Sequence, residues 1–243
     1  MVDAAEATFH RYRGTVVEVD GILLKMDRRL SNLMVNILRR NEHAVQERAL
    51  VLAALEPDDV VMELGGGIGH TSTRFAKAIG SERVFTFEAN PELAPLMHEN
   101  FRLNGVRPTA EFCMLGREEG RAAFFVHRDF WVSSSEPEDG SRRIEVPVHR
   151  IADRIRSINP SFLVVDIEGG EREVFDGLDF GNIRKLMLEV HEHELGAAET
   201  ARILDIIAAA GFILDRQIDS CRLFRRRMMQ TADRARDEAA PCL

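Results

Sequence analysis

A chain of 243 residues with 45% hydrophobic content can bury the core of one ordinary α/β domain. Its 40 acidic side chains against 32 basic ones leave a formal net charge of -8, which argues against a surface that tracks a phosphate backbone and so against nucleic acid as a partner. Cys113, Cys221 and Cys242 lack metal-ligand spacing, giving no sign of zinc and predicting a reducing compartment; no apolar run is long enough to span a bilayer and no signal core surrounds Asp3 and Glu6, so a cytoplasmic chain without a membrane partner is expected.

Residues 1 to 14 are polar and expected to be loosely held. Thr15 to Val19 and Ile22 to Lys25 flank Asp20-Gly21, a dipeptide suited to a tight hairpin turn. From Met26 to Arg40 the apolar residues Leu30, Leu33, Met34, Ile37 and Leu38 recur at helical spacing with arginines opposite. This predicts an amphipathic helix packed on the core in preference to one lying on a membrane. Another helix is expected over Ala44 to Leu55, before the turn Glu56-Pro57-Asp58-Asp59. Residues 1–55 are thus expected to form a hairpin and helical extension on the core, residues 56–228 the main domain, and residues 229–243 a flexible tail.

Val60-Val61-Met62 then leads into Glu63-Leu64-Gly65-Gly66-Gly67-Ile68-Gly69. Glycine lets a backbone turn tightly and approach a ligand closely, and the helix that follows offers unpaired N–H groups. A dinucleotide site needs Gly-x-Gly-x-x-Gly, but counting from Gly65 puts His70 in the last place, and counting from Gly67 puts Ser72 there. The remaining pattern is acidic-x-Gly-x-Gly-x-Gly. A turn without a ligand is the plainer alternative, yet three alternating glycines cost backbone entropy that a mere turn does not require. Thr71 to Ala78 should be the helix behind this loop and Val84 to Phe87 the second strand. That strand ends at Glu88, 19 residues after Gly69, where a carboxylate can accept two hydrogen bonds. A helix from Pro91 to Asn104, closed by Gly105, and a third strand from Ala110 to Met114 follow.

Such alternation predicts an α/β fold: a doubly wound, mostly parallel seven-stranded sheet with its last strand antiparallel and helices on both faces. Ligands then bind beyond the carboxyl ends of the strands, where Glu63, Glu88 and Leu115-Gly116 fall. Ala122 to Val148 breaks the rhythm: Phe124-Phe125-Val126 suits a strand, whereas Ser133 to Gly140 reads as a long polar loop. Trp131, the single tryptophan, is either an aromatic wall of an acceptor pocket or a core anchor. Phe162-Leu163-Val164-Val165 reads as a central buried strand that presents Asp166 and Glu168, and Lys185 to Val190 delivers Glu189, His191 and His193 to the same rim. His193, beyond the apolar run, is expected to be exposed. Ala197 to Ala210 should be a helix, Phe212 to Leu214 a strand, Cys221 to Phe224 its antiparallel neighbour, and Arg225 onward a solvated end.

The glycine segment resembles motif I of class I S-adenosylmethionine-dependent methyltransferases. Together with Phe87-Glu88-Ala89-Asn90-Pro91, Asp166-Ile167-Glu168-Gly169-Gly170-Glu171 and Leu188-Glu189-Val190-His191, it makes the chain resemble the FkbM family over roughly Asn41 to Phe212. The family commonly has Asp where Glu63 stands and Ala-Asn where Gly66-Gly67 stand; both changes move toward the general class I pattern. The resemblance implies a Rossmann-like fold, S-adenosylmethionine as cofactor, and O-methylation of a hydroxyl on a sugar or secondary metabolite, with a small-molecule acceptor as partner. It also implies that Glu63 faces the methionyl end, directly or through water, that Glu88 takes the ribose hydroxyls, and that Gly65, Gly66, Gly67, Gly69, Asn90, Met114 and Leu115 complete the cofactor contacts.

For catalysis, His191 is a natural general base because its unperturbed pKa lies near neutrality, and Asp166 or Glu168 either takes that role or orients the imidazole; the alternative is a structural histidine at the strand end. Glu168 and Glu171 would otherwise stabilise a helix N-terminus beginning at Gly169-Gly170. Asp166, Glu168, Glu189 and His191 also offer an oxygen-rich set for magnesium or manganese, which related sugar O-methyltransferases use, although no spacing here is diagnostic of a metal. The competing function is a non-catalytic S-adenosylmethionine-binding regulatory or scaffold protein, which leaves the acidic and imidazole groups unexplained. Nothing in the chain argues against a homo-oligomer.

Overall fold

The computed structural model describes residues 14–41, 45–137 and 139–227; residues 1–13 and the expected tail at 229–243 lie outside the described residues. Asp20 (φ 50°) and Gly21 (φ 75°) both take the positive φ that a two-residue hairpin turn demands, closing β1 (Val16–Val19) onto β2 (Ile22–Lys25) in the register Val19↔Ile22. The next helix, α1 (Asn32–Arg40), starts six residues later than its apolar periodicity suggests, because the Ser31 side chain accepts from Met34 N and caps it there. Asn41 (φ 55°) ends it in the left-handed region. With α2 (Val45–Ala54) these elements form the extension. Leu24, Met26, Leu30, Met34 and Leu38 share one buried cluster with Ile68 of the glycine loop and with Leu93 and Leu96, so the extension is packed directly against that loop.

The main sheet contains β3 (Val61–Leu64), β4 (Val84–Phe87) and β5 (Thr109–Glu111). Three strands of a separate sheet, β6 (Met114–Gly116), β7 (Gly120–Val126) and β8 (Arg142–Arg150), intervene before β9 (Phe162–Val165), β10 (Lys185–Glu189), β11 (Phe212–Ile218) and β12 (Cys221–Arg226). The order β11-β12-β10-β9-β3-β4-β5 is parallel except for β12, which is antiparallel to both neighbours. The chain leaves β3 toward β4 on one side and returns to β9 on the other. That reversal opens a crevice at the carboxyl ends of β3 and β9, the usual ligand position in such sheets.

Alternation along each strand divides the core in two. Met62, Leu64, Leu163, Val165, Leu186 and Leu188 face α5 (Ile151–Ile158), α6 (Glu171–Phe175) and, beyond the short α7 (Glu192–Leu195), α8 (Ala197–Ala209). Val61, Val84, Phe162, Val164 and Met187 face α2, α3 (His70–Ile79) and α4 (Ala94–Leu103). Among the described residues no helix is long and apolar enough to cross a membrane.

Three expectations change. The strand expected over Ala110 to Met114 is divided: β5 closes the main sheet, whereas β6 belongs to a separate sheet of order β6-β8-β7. The expected polar loop at Ser133 to Gly140 begins with two buried serines, held because Ser134 bridges to Phe125 and Ser133 Oγ accepts from His127 N at 2.9 Å. Arg225 and Arg226, expected to be solvated, lie within β12; Arg226 sits over the Phe212 ring at 5.5 Å and Arg225 pairs with Asp215 at 2.9 Å.

Candidate active site

The glycine loop is built by close approach. Gly65 (φ 92°) donates to Phe87 O at 2.9 Å, and a Cβ on it would lie 1.7 Å from the Asp166 carbonyl oxygen. Only glycine therefore lets the ends of β3 and β9 close together. A Cβ on Gly66 would meet Thr86 Oγ1 at 2.1 Å. Gly67 N donates to Glu88 Oε2 and Asn90 N to Glu88 Oε1, both at 2.7 Å. Burial raises the Glu88 carboxyl while these two amides hold it down, and each oxygen keeps a further lone pair for another donor.

Beside this loop lies a cavity of about 500 Å³, within the roughly 300–1,000 Å³ range of small-molecule sites. Of the residues singled out from sequence, Gly65, Gly66, Gly67, Glu88, Met114, Leu115, Asp166, Glu168 and His191 line it, joined by Glu189. Glu63, Gly69 and Asn90 do not. Glu63 pairs in register with Thr86 and follows Val61 onto the α3 face of the sheet, so its side chain is buried beneath the loop beside Thr86 and Ser72. Burial pushes it up to about 7, the two hydroxyls offset this in part, and the Glu88 charge adds to the rise. Gly69 is a packing glycine: a Cβ there would strike Phe101 at 2.7 Å and Met97 at 2.9 Å. Asn90 caps the turn Pro91–Leu93 with its side chain and reaches the cavity only indirectly, through its N–H on Glu88.

The acidic motif and the end of β10 converge on His191. Its Nδ1 lies 3.3 Å from Glu171 Oε1, and its Nε2 lies 3.2 Å from Glu168 Oε1 and 3.7 Å from Glu189 Oε1. Burial alone lowers the imidazole, but the Glu171 hydrogen bond and the charges of Glu168, Glu189 and Asp166 outweigh it and lift His191 to about 9. At neutral pH this group is an imidazolium, which corrects the expectation of a near-neutral base. Glu168 is raised as well: burial, opposed by His191 and reinforced by Glu189, Glu194 and Glu171, lifts it to about 7. Asp166 is exposed where it opens onto the cavity; the protein packed around the rest of the carboxyl, then the Glu189 charge and a hydrogen bond shared with Glu189, push it above the usual carboxylate range. Glu171 is fully buried in the first turn of α6, so it serves the helix end and the imidazole together. His193 is exposed, as expected. Asp166, Glu189 and His191 place one ligand atom each within 4.8 Å of one another.

Sequence reasoning missed part of the wall. Phe130 stands over the loop, where a Cβ on Gly67 would come within 3.0 Å of its ring, and Ser135 N donates to Glu168 O at 3.3 Å. The segment around Phe130 and Ser135 thereby ties the glycine loop to the acidic motif. Trp131 meets both of its readings: it lines the cavity, packs against the core cluster of the extension, and contacts the Phe130 ring edge-on at 5.8 Å. Arg48, His70 and Thr71 line the cavity without any spacing that marks them.

Comparison with known proteins gives a family and several distant likenesses. The Methyltransferase FkbM domain matches residues 59–214, more than half of the chain. A probable ribosomal RNA small subunit methyltransferase A of Methanosarcina barkeri is 36% identical over 55 residues, 23% of this chain; the match spans 18% of that relative's length. Among solved structures, TYW2 of P. horikoshii in complex with MeSAdo is 18% identical with a TM-score of 0.41, covering 86% of this chain and 68% of that one. TYW2 of M. jannaschii in complex with AdoMet is 15% identical with a TM-score of 0.43, covering 88% and 86%. A glycine loop, an acidic residue ending the second strand, and an acidic-imidazole cluster at two further strand ends thus lie within one matched segment, and the chain belongs to the FkbM family of S-adenosylmethionine-dependent methyltransferases.

Proposed function

We propose that this protein methylates a hydroxyl group of a small molecule, a sugar or secondary metabolite, with Glu168 as the group that removes the hydroxyl proton. The observation that carries this reading is a carboxylate raised to about 7, 3.2 Å from an imidazolium, lining the same cavity as the glycine loop. A general base works best with a pKa near the working pH, which Glu168 meets and His191, held near 9, does not. His191 is then a fixed cation that keeps Glu168 oriented, itself pinned by Glu171. In the same reading Glu88 receives the two ribose hydroxyls, Gly65 to Gly67 border the methionyl chain, and Met114 and Leu115 flank the adenine.

Bound S-adenosylmethionine supplies an already activated methyl group. The chain's own task is to hold the acceptor oxygen in line and receive its proton, and positioning of this kind is worth several kcal/mol. Asp166, Glu168 and Glu189 facing the acceptor side disfavour a phosphate-bearing substrate, which supports a neutral polyol over nucleic acid. The same oxygen-rich donors suit magnesium or manganese, but an ion there would have to displace the proton that four carboxylates hold on His191.

Methyl transfer to a panel of polyol and phenolic acceptors, measured from pH 5.5 to 9, tests the reading. Wild-type activity should rise through about pH 7 as Glu168 ionises. Glu168→Gln should lose roughly 10²- to 10⁴-fold in rate while S-adenosylhomocysteine affinity holds. A Glu168→Gln variant with full activity would remove Glu168 from the mechanism, and a wild type that binds the cofactor but methylates nothing would favour a scaffold role.

A further inference from the structure

Where the main sheet meets the smaller one, three metal-ligating side chains come together. Glu111 at the end of β5, Cys113 between β5 and β6, and His149 on β8 each place one ligand atom within 4.8 Å of the other two. The parallel pairing Leu115↔His149 brings β8 to this point, so a donor 36 residues beyond Cys113 joins the group. Cysteine spacing along the chain gives no sign of it for that reason.

The surroundings suit a cation. Glu119 Oε2 lies 3.0 Å from His149 Nδ1, and the other Glu119 oxygen accepts from Arg150 N at 2.9 Å. A carboxylate held in that way fixes the ring and leaves Nε2 for a metal, the usual arrangement behind a ligating histidine. Glu111 spends Oε2 on Arg154, 3.0 Å from Nε and 2.8 Å from Nη2, and keeps Oε1. The Cys113 thiol is buried and carries its proton, pushed up to about 12 by burial and then by the Glu111 charge. Once ionised it joins Glu111 and Glu119 in three negative charges against the one on Arg154, and the remainder is the charge that a divalent ion neutralises. One sulfur, one nitrogen and one carboxylate oxygen form a donor set for zinc, whereas magnesium and calcium take oxygen alone. The Glu111 and His149 side chains are 31% and 33% exposed, which gives the ion a path in and leaves room for water as a fourth ligand.

We propose that Glu111, Cys113 and His149 bind one zinc-class divalent ion, at a site distinct from the acidic cluster around His191. Binding forms the sulfur–metal bond and releases the thiol proton to solvent. The ion fastens β8 to the end of β5, beside Met114 and Leu115 in the cavity wall. The proposal does not depend on the acceptor or on the catalytic role of Glu168.

Titration of the reduced, chelator-treated full chain with Co²⁺ and then Zn²⁺ tests it. The wild type should bind one cobalt ion with a sulfur-to-cobalt charge-transfer band in the near ultraviolet, and zinc should bleach that band. Asp166, Glu189 and His191 offer no sulfur, so cobalt held there gives no such band. Cys113→Ser should abolish the band, and His149→Ala should weaken cobalt binding at least roughly tenfold. A wild type without the band overturns the proposal. So does a band that survives Cys113→Ser, which would assign the thiolate to Cys221 or Cys242. Should Cys113→Ser fail to fold, His149→Ala decides: weakened cobalt binding supports the site, and unchanged affinity sinks it.

Discussion

Replacing Glu63 with glutamine separates two roles that the sequence alone cannot distinguish, a cofactor contact and a buried acid beneath the glycine loop. Glu63 is 3% exposed and holds its proton up to about 7, against an ordinary value of 4.5. At about 1.4 kcal/mol per pH unit, that difference amounts to about 3 kcal/mol. The folded protein binds the proton more tightly than the unfolded chain, so unfolding releases it between pH 4.5 and 7. Stability therefore falls by about 3 kcal/mol as pH rises through that window and changes no further on this account above it. Glutamine has nearly the same shape and cannot ionise. Its amide must find acceptors, and the Thr86 and Ser72 hydroxyls lie beside it. Glu63→Gln should thus gain about 2 kcal/mol or slightly more relative to wild type between pH 5 and pH 8, whatever its starting offset at pH 5. Urea denaturation at pH 5, 6, 7 and 8 measures the difference, in which the titration of His191 and Asp166 cancels. S-adenosylhomocysteine affinity should change less than about twofold, because the side chain does not reach the cavity. Parallel stability curves would refute the buried-acid argument, and a tenfold or greater loss of affinity would return Glu63 to the cofactor site.

Two further substitutions probe the cavity. Gly65→Ala places a methyl 1.7 Å from the Asp166 carbonyl at a φ of 92°, so the ends of β3 and β9 must separate; the variant should lose at least about 3 kcal/mol of stability and all measurable S-adenosylhomocysteine binding, checked by thermal unfolding and calorimetry. His191→Gln removes the cation that lowers Glu168, so the midpoint of the pH–rate curve should move upward from about 7; a midpoint that stays put or falls would show that Glu168 is not the titrating group.

The central architecture was legible because its strands carry continuous apolar runs. Val61 and Met62, Phe162 to Val165 and Leu186 to Leu188 are buried on both faces, and a strand of that kind needs no pairing information to be recognised. Glu88 was legible too, since an acidic residue directly after a strand must emerge at the carboxyl edge, and the structure lines the cavity with it. Glu63 sits one residue inside its strand's end, where alternation decides the face, and alternation turns its side chain away from the cavity lining. The region from Met114 to Arg150 was illegible for another reason. Ser133 and Ser134 are polar yet buried by local hydrogen bonds, and β8 joins β6 and β7 through pairings 16 to 34 residues apart that leave no periodic trace in its arginine-rich sequence.

What the sequence determined by itself was therefore the class of cofactor loop and the sheet that carries it, because glycine spacing and continuous apolar runs are local signals of backbone geometry and burial. Only the tertiary structure decided the state of the site. His191 is an imidazolium because Glu168, Glu171 and Glu189 surround it, and Arg48 lines the cavity paired with Asp20 of a hairpin turn. Charge is set by neighbours in space, and those neighbours lie 2 to 28 residues away along the chain, at distances no spacing rule reads.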